Sequence, residues 1–213
     1  NDLTIFERDG DSFTAGERFG RFGSAAVADI DGDFAPEIVQ FAQGGITVLD
    51  SGLQDVPVTP DGGRITGEII DGDDGPNDLL GTSANDSIDG GGGRDMIDGG
   101  RGADLLIGGG GADTLTGRGG KDTLEGNGGK DTLEGNSGRD MLSGGGGKDN
   151  LNGGGGKDFL DGNGGKDTLE GGGGRDNLIG GGGRDSIDGG NGKDQIDGGR
   201  GSDFLIGGGG RDT

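Results

Sequence analysis

The sequence predicts an all-β chain: a parallel solenoid with two nine-residue units per coil, preceded by a small N-terminal β segment. Three periodic observations carry that prediction. An Asp recurs every nine residues without a slip, at Asp86, Asp95, Asp104, Asp113, Asp122, Asp131, Asp140, Asp149, Asp158, Asp167, Asp176, Asp185, Asp194, Asp203 and Asp212. Leu or Ile stands two residues after each of the first fourteen, from Ile88 to Leu205. Gly stands four residues after each of those fourteen, and two residues before every Asp except Asp86, where Ala84 takes the place.

The unit Gly-Gly-x-Gly-x-Asp-x-Leu-x explains itself locally. Its first six residues favour a tight turn, because Gly accepts φ > 0 without steric cost. Its last three suit a very short strand, in which the Leu or Ile points one way and its two neighbours the other. Two units then make a coil of 18 residues with a strand on each side. Stacked coils give two parallel sheets facing each other across a thin Leu/Ile core.

Composition removes the competing readings of 62 Gly in 213 residues. Collagen needs Gly at every third residue and abundant Pro, and the chain has 4 Pro and runs such as Gly144-Gly145-Gly146-Gly147. A flexible linker would not hold Leu/Ile to one position in nine. With no Cys and no His, a disulfide scaffold, a thiolate zinc site, a His-dependent triad and an HExxH centre are all excluded. No Gly-x-Ser-x-Gly elbow occurs either. The formal charge of -22 makes nucleic acid and anionic membrane surfaces poor partners. No apolar run approaches the roughly 20 residues that span a bilayer. Composition divides the chain into residues 1–70, an acidic junction with a degenerate first repeat at 71–85, and the uniform array at 86–213.

The array resembles the RTX (repeats-in-toxin, hemolysin-type) calcium-binding nonapeptide repeat, whose fold is a right-handed parallel β-roll. Stacking supplies the physical reason for a cation. Coils about 4.8 Å apart put equivalent Asp residues in columns, where neighbouring charges repel by roughly 3–4 kcal/mol at an effective dielectric of ~20. Calcium takes six to eight oxygens from carboxylates and carbonyls, and Gly-rich turns expose carbonyls. The resemblance implies one ion between turns of adjacent coils, hence between Asp residues 18 apart. That gives thirteen pairs, from Asp86 with Asp104 to Asp194 with Asp212, and about a dozen Ca²⁺ ions that couple metal binding to folding.

Some positions depart from the family pattern. The turn Gly81-Thr82-Ser83-Ala84-Asn85 is poor in glycine, so the Asp86 site is expected to be weak or to act as a cap. Asp78, in Asn77-Asp78-Leu79-Leu80, reads as a unit shifted by one residue. Lys or Arg precedes the repeat Asp at Lys121, Lys130, Lys148, Lys157, Lys166, Arg175 and Arg184, where the family often has Asn. These bases are expected to form a solvated rim, pairing with Glu125, Glu134 and Glu170. The outward positions carry no unbroken Thr rank of the kind an ice-binding face requires. A longer period is also visible: residues 99–107 recur at 198–206, a duplication of eleven units.

Residues 1–70 follow different rules. Strand-like runs occur at Leu3-Thr4-Ile5-Phe6, Ala25-Ala26-Val27-Ala28, Glu37-Ile38-Val39-Gln40-Phe41 and Ile46-Thr47-Val48-Leu49. Between the middle two lies Asp29-Ile30-Asp31-Gly32-Asp33-Phe34-Ala35-Pro36-Glu37. With Phe22-Gly23-Ser24 before it, this resembles an FG-GAP/VCBS repeat of the integrin α-chain type. The resemblance implies a calcium loop with Asp29, Asp31, Asp33 and Glu37 as side-chain ligands and a carbonyl from Ala35.

These features point to a non-enzymatic, calcium-binding structural or adhesive module of a secreted or cell-surface bacterial protein. It would be exported by type I secretion and fold outside the cell. Its expected partners are calcium, other copies of itself or cell-surface components. The competing reading is the stabilising tail of an exported protease, lipase or cytolysin whose catalytic domain lies outside these residues.

Overall fold

A computed structural model gives the architecture. It describes residues 67–213 in full and, among residues 1–66, the backbone of five strands. The chain divides into two compact units, Asn1–Val56 and Pro57–Thr213, each described by itself.

The second unit is a parallel β-roll with no helix among the described residues. One sheet stacks eight strands, from Asp78–Leu80 through Met96–Asp98, Thr114–Thr116, Thr132–Glu134, Asn150–Asn152, Thr168–Glu170 and Ser186–Asp188 to Phe204–Ile206. The facing ladder runs from Ile69–Asp71 through Ser87–Asp89 to Gln195–Asp197. Every pairing is parallel with an offset of 18 residues, as in Leu124 opposite Leu142 and Leu142 opposite Leu160. The turns are ladders too. Gly119–Gly120 pairs with Ser137–Gly138, which pairs in turn with Gly155–Gly156. The sequence pattern contained the strand stacks but not this second pair of ladders.

The core is a single file of side chains. Ile88, Ile97, Leu106, Leu115, Leu124, Leu133, Leu142, Leu151, Leu160, Leu169, Leu178 and Ile187 are each 2% exposed or less. Their flanking residues are half-buried or exposed, with Thr123, buried beside Leu124, as an exception. The N-terminal end is closed by half-buried Ile70 and Leu79. At the C-terminal end Phe204, Leu205 and Ile206 are exposed.

The register corrects the reading of Asp78. It pairs with Met96, and Leu79 pairs with Ile97, so this unit is in phase with the rest. Asn77 occupies the Asp position there, and its N–H donates to Asp95 Oδ1 at 2.8 Å. One coil face earlier, Glu68 holds the same position and donates its N–H to Asp86 Oδ1 at 2.6 Å. Counting back by nines from Asp86 reaches both residues. An Asp-only motif hides them.

The first unit is antiparallel. Leu3–Asp9 pairs with Ser12–Phe19, and Glu37–Ala42 lies between Ala25–Ala28 and Gly45–Leu49. The four strand-like runs fall within these strands. Ser12–Phe19 was not anticipated, because Gly16, Glu17 and Arg18 interrupt its apolar alternation. Of the proposed loop ligands, Asp29, Asp31 and Asp33 lie outside the described residues, while Glu37 begins the strand Glu37–Ala42.

Candidate metal centre

The repeat Asp stands where the turn enters the strand, one residue before the strand begins. Asp86, Asp95, Asp104, Asp113, Asp122, Asp131, Asp140, Asp149, Asp158, Asp167, Asp176, Asp185 and Asp194 are all buried. Asp203 and Asp212, near the open end, are half-buried. A row of buried carboxylates demands partners.

Oδ1 has one. The Asp86 N–H donates to Asp104 Oδ1 at 2.9 Å, Asp95 N–H to Asp113 Oδ1 at 2.8 Å, and Asp104 N–H to Asp122 Oδ1 at 3.0 Å. The pattern continues at 2.9–3.0 Å to Asp194 N–H and Asp212 Oδ1. The thirteen pairs expected from the repeat are therefore brought together, each through one backbone hydrogen bond. The Asp carbonyl is used as well, accepting from the strand of the next coil, as from Leu105 N–H to Asp86 O at 2.9 Å.

Oδ2 has none. From Asp95 to Asp194 without interruption, twelve Oδ2 atoms are buried and lack a hydrogen-bond partner. Each faces a point that the turn leaves empty. A Cβ added to Gly126 would lie 2.7 Å from Asp131 Oδ2 and 2.7 Å from the carbonyl oxygen of Gly144, on the next coil. At Gly135 the corresponding distances are 2.7 Å to Asp140 Oδ2 and 2.8 Å to Gly153 O. A carboxylate oxygen and a carbonyl oxygen from adjacent coils thus converge on a space kept free by the absence of a side chain. Among the described residues no three acidic side chains share one point. The donor set is carboxylate plus backbone carbonyl, with no nitrogen or sulfur, which suits a hard oxygen-seeking cation of calcium's kind.

Asp86 differs. Its Oδ2 accepts from Thr82 N–H at 2.6 Å and lies 3.1 Å from the Thr82 hydroxyl. Thr82 occupies a turn place held by Gly, Asn or Arg in the later units, and it provides from the protein what the other sites lack.

The electrostatics match this geometry. Burial pushes the Asp104 and Asp122 carboxyls up to about 7, from an ordinary value of 3.8. Asp131, Asp167 and Asp176 rise to about 6. Asp95, Asp140, Asp149 and Asp158 are raised as well. In every case the leading cause is burial. The backbone N–H on Oδ1 opposes it, and for several of them neighbouring carboxylates add to the rise. The stack favours uncharged or cation-compensated carboxylates.

Of the seven bases named above as preceding a repeat Asp, Lys121 is half-buried, and Lys130, Lys148, Lys157, Lys166, Arg175 and Arg184 form an exposed rim. One ion pair at the turns joins Arg118 and Asp98 in a two-pronged contact, with Nε to Oδ1 at 2.5 Å.

Comparison with curated proteins gives no match. A family model, the RTX calcium-binding nonapeptide repeat (4 copies), matches residues 71–106, 99–133, 107–142, 143–178 and 179–213, which together cover about two thirds of the chain. With its nine-residue register, its Leu/Ile file and its buried Asp columns, the chain belongs to the RTX calcium-binding nonapeptide repeat family.

Proposed function

We propose that this chain is a calcium-dependent structural and adhesive module of an exported bacterial protein, assembled outside the cell. The observation that carries the proposal is the run of twelve buried, partnerless Oδ2 atoms from Asp95 to Asp194. Bound calcium would supply the positive charge and oxygen coordination that these atoms lack. The chain contributes the rest. Asp Oδ1 ties each coil to its neighbour, turn glycines hold carbonyls toward the gap, and the Leu/Ile file fixes the coil spacing.

Asp203 and Asp212 extend the ligand series at the C-terminal end, with Asp86 acting as its N-terminal cap. Residues 71–85 form the calcium-poor start of the array. The loop of Asp29, Asp31, Asp33 and Glu37 adds a separate calcium site in a segment of the FG-GAP/VCBS kind. Extracellular placement follows from calcium demand. Many weak oxygen sites fill only where calcium is abundant, and the unfilled chain stays extended enough for export through a narrow channel. No helix among the described residues is long and apolar enough to cross a membrane.

Circular dichroism during calcium titration tests this reading. Disorder in chelator, giving way cooperatively to β structure as calcium is added, is the expected result. A chelator-resistant β-roll at neutral pH would overturn it.

A further inference from the structure

Folding changes the sign of the surface that the roll presents. Fifteen of the acids are the repeat Asp residues, and thirteen of these are buried. Outside that series the array from Asp86 to Thr213 carries fourteen basic residues and eight acidic ones. Once the buried carboxylates are compensated, a chain of formal charge -22 shows an excess of positive charge on the outside of its array.

That charge is not scattered. Lys121, Arg139, Lys157, Arg175, Lys193 and Arg211 follow one another at 18-residue intervals along one edge. Both ladders that flank the residue before Asp are in register over this span. The turn pairs run Gly119 to Ser137, Gly155, Gly173, Asn191 and Gly209, and the strand pairs run Thr123 to Met141, Phe159, Asn177 and Gln195. The six bases are therefore stacked at the coil spacing, about 4.8 Å. Lys121 is half-buried and the other five are exposed. At the N-terminal end of this edge lies an open depression of about 600 Å³, whose lining includes Thr82, Ser83, Arg101, Arg118 and Ser137. The opposite edge has a shorter row, Lys130, Lys148, Lys166 and Arg184, flanked by Ala112 and Ser202.

We propose that the longer basic edge binds a linear acidic polysaccharide, carrying sulfate or carboxylate groups, laid along the axis of the roll. The proposal rests on the calcium-dependent folding argued above, since only the folded array buries its acids. A straight row of cations at fixed pitch complements an extended polyanion of regularly spaced charges. The turn positions between the bases are Gly, Asn and Ser, and the flanking strand ladder from Thr123 to Gln195 holds a single aromatic, Phe159, which makes no stacking platform for successive bases. No helix occurs among the described residues to enter a duplex groove.

The test uses the full chain in calcium, with circular dichroism on the same samples. Retention is measured on immobilised heparin, with hyaluronate as the carboxylate-only probe and neutral dextran as the control. Expected are binding to heparin, to hyaluronate or to both, none to dextran, and a steep loss of affinity with NaCl. The variant R139Q/K157Q/R175Q/K193Q is expected to lose at least tenfold. The charge-matched variant K130Q/K148Q/K166Q/R184Q, on the other edge, is expected to lose less than threefold. Equal losses in the two variants would show general electrostatics and overturn the proposal. So would folded protein that ignores both anionic probes, or duplex DNA binding as tightly through the same four residues. Failure to fold in calcium would instead strike the underlying calcium reading.

Discussion

At the scale of single residues the turn glycines divide into two kinds, one at the place two before Asp, which is Gly from Gly93 to Gly210, and one at the place before it, which also takes Arg101, Ser137 and Asn191. Gly111 has φ +144°, and a Cβ there would fall 1.3 Å from the Gly93 carbonyl oxygen on the coil below. Its neighbour Gly110 meets nothing within 4 Å. Gly111→Ala is therefore expected to break the stack at that coil, whereas Gly110→Ala leaves the calcium midpoint of folding within experimental error. Circular dichroism titrations of the two variants check this directly. The core offers a graded comparison. Leu142 is fully buried between Leu124 and Leu160, so Leu142→Ala should cost about 2–5 kcal/mol in calcium-saturated unfolding. The Asp series is also predicted to be uneven. Asp140→Asn removes the charge of a carboxylate whose Oδ2 is partnerless, and should lower the number of bound calcium ions and raise the folding midpoint. Asp86→Asn alters a group already served by Thr82 and should leave the stoichiometry nearly unchanged, as read by equilibrium dialysis.

The element in this molecule is the nine-residue unit, and its legibility was high for a physical reason. A solenoid repeats one local solution, so each requirement of turn, strand and core returns at the same place in sequence. Leu106, Leu124 and Leu142 were legible as core, and the Asp columns as stacked, from spacing alone. What escaped was whatever broke the letters of the motif while keeping its geometry. Glu68 and Asn77 occupy Asp positions with other side chains, and Asp78 stands at the first strand position, one residue after the Asp place. The exchange at Asp86 was only half visible. Poverty of glycine suggests a weak site, but that the Thr82 N–H and hydroxyl fill it follows from how the turn folds back on Asp86. The turn ladders escaped for a different reason. Two-residue pairs such as Gly119–Gly120 have no side-chain pattern to read and exist only because coils stack. Ser12–Phe19 pairs through its backbone despite a charged, glycine-containing sequence.

On the scale of the whole molecule, the raised carboxyls give stability a sign with pH. In calcium-free buffer a group such as Asp104, ordinarily at 3.8 and pushed up to about 7 in the fold, holds its proton more tightly folded than unfolded. Its contribution is complete below about pH 4 and lost as pH rises through 6–7. Acidification of the chelated chain from pH 7.5 to 4 is thus expected to raise its β content, measured by circular dichroism, while calcium affinity falls over the same interval. The hydrogen bonds between Asp residues have one further consequence. In every pair the earlier residue donates and the later one receives, from Asp86 to Asp104 through to Asp194 to Asp212. This one series of bonds therefore has an arrow, while the strand amides point the other way, as Ser87 N–H does to Glu68 O and Leu105 N–H to Asp86 O. Each coil leans on both neighbours through its strands, but its Asp N–H groups wait only on the coil that follows. With Phe204–Ile206 exposed at the C-terminal end, amide exchange should run inward from there well before it reaches Ser87–Asp89.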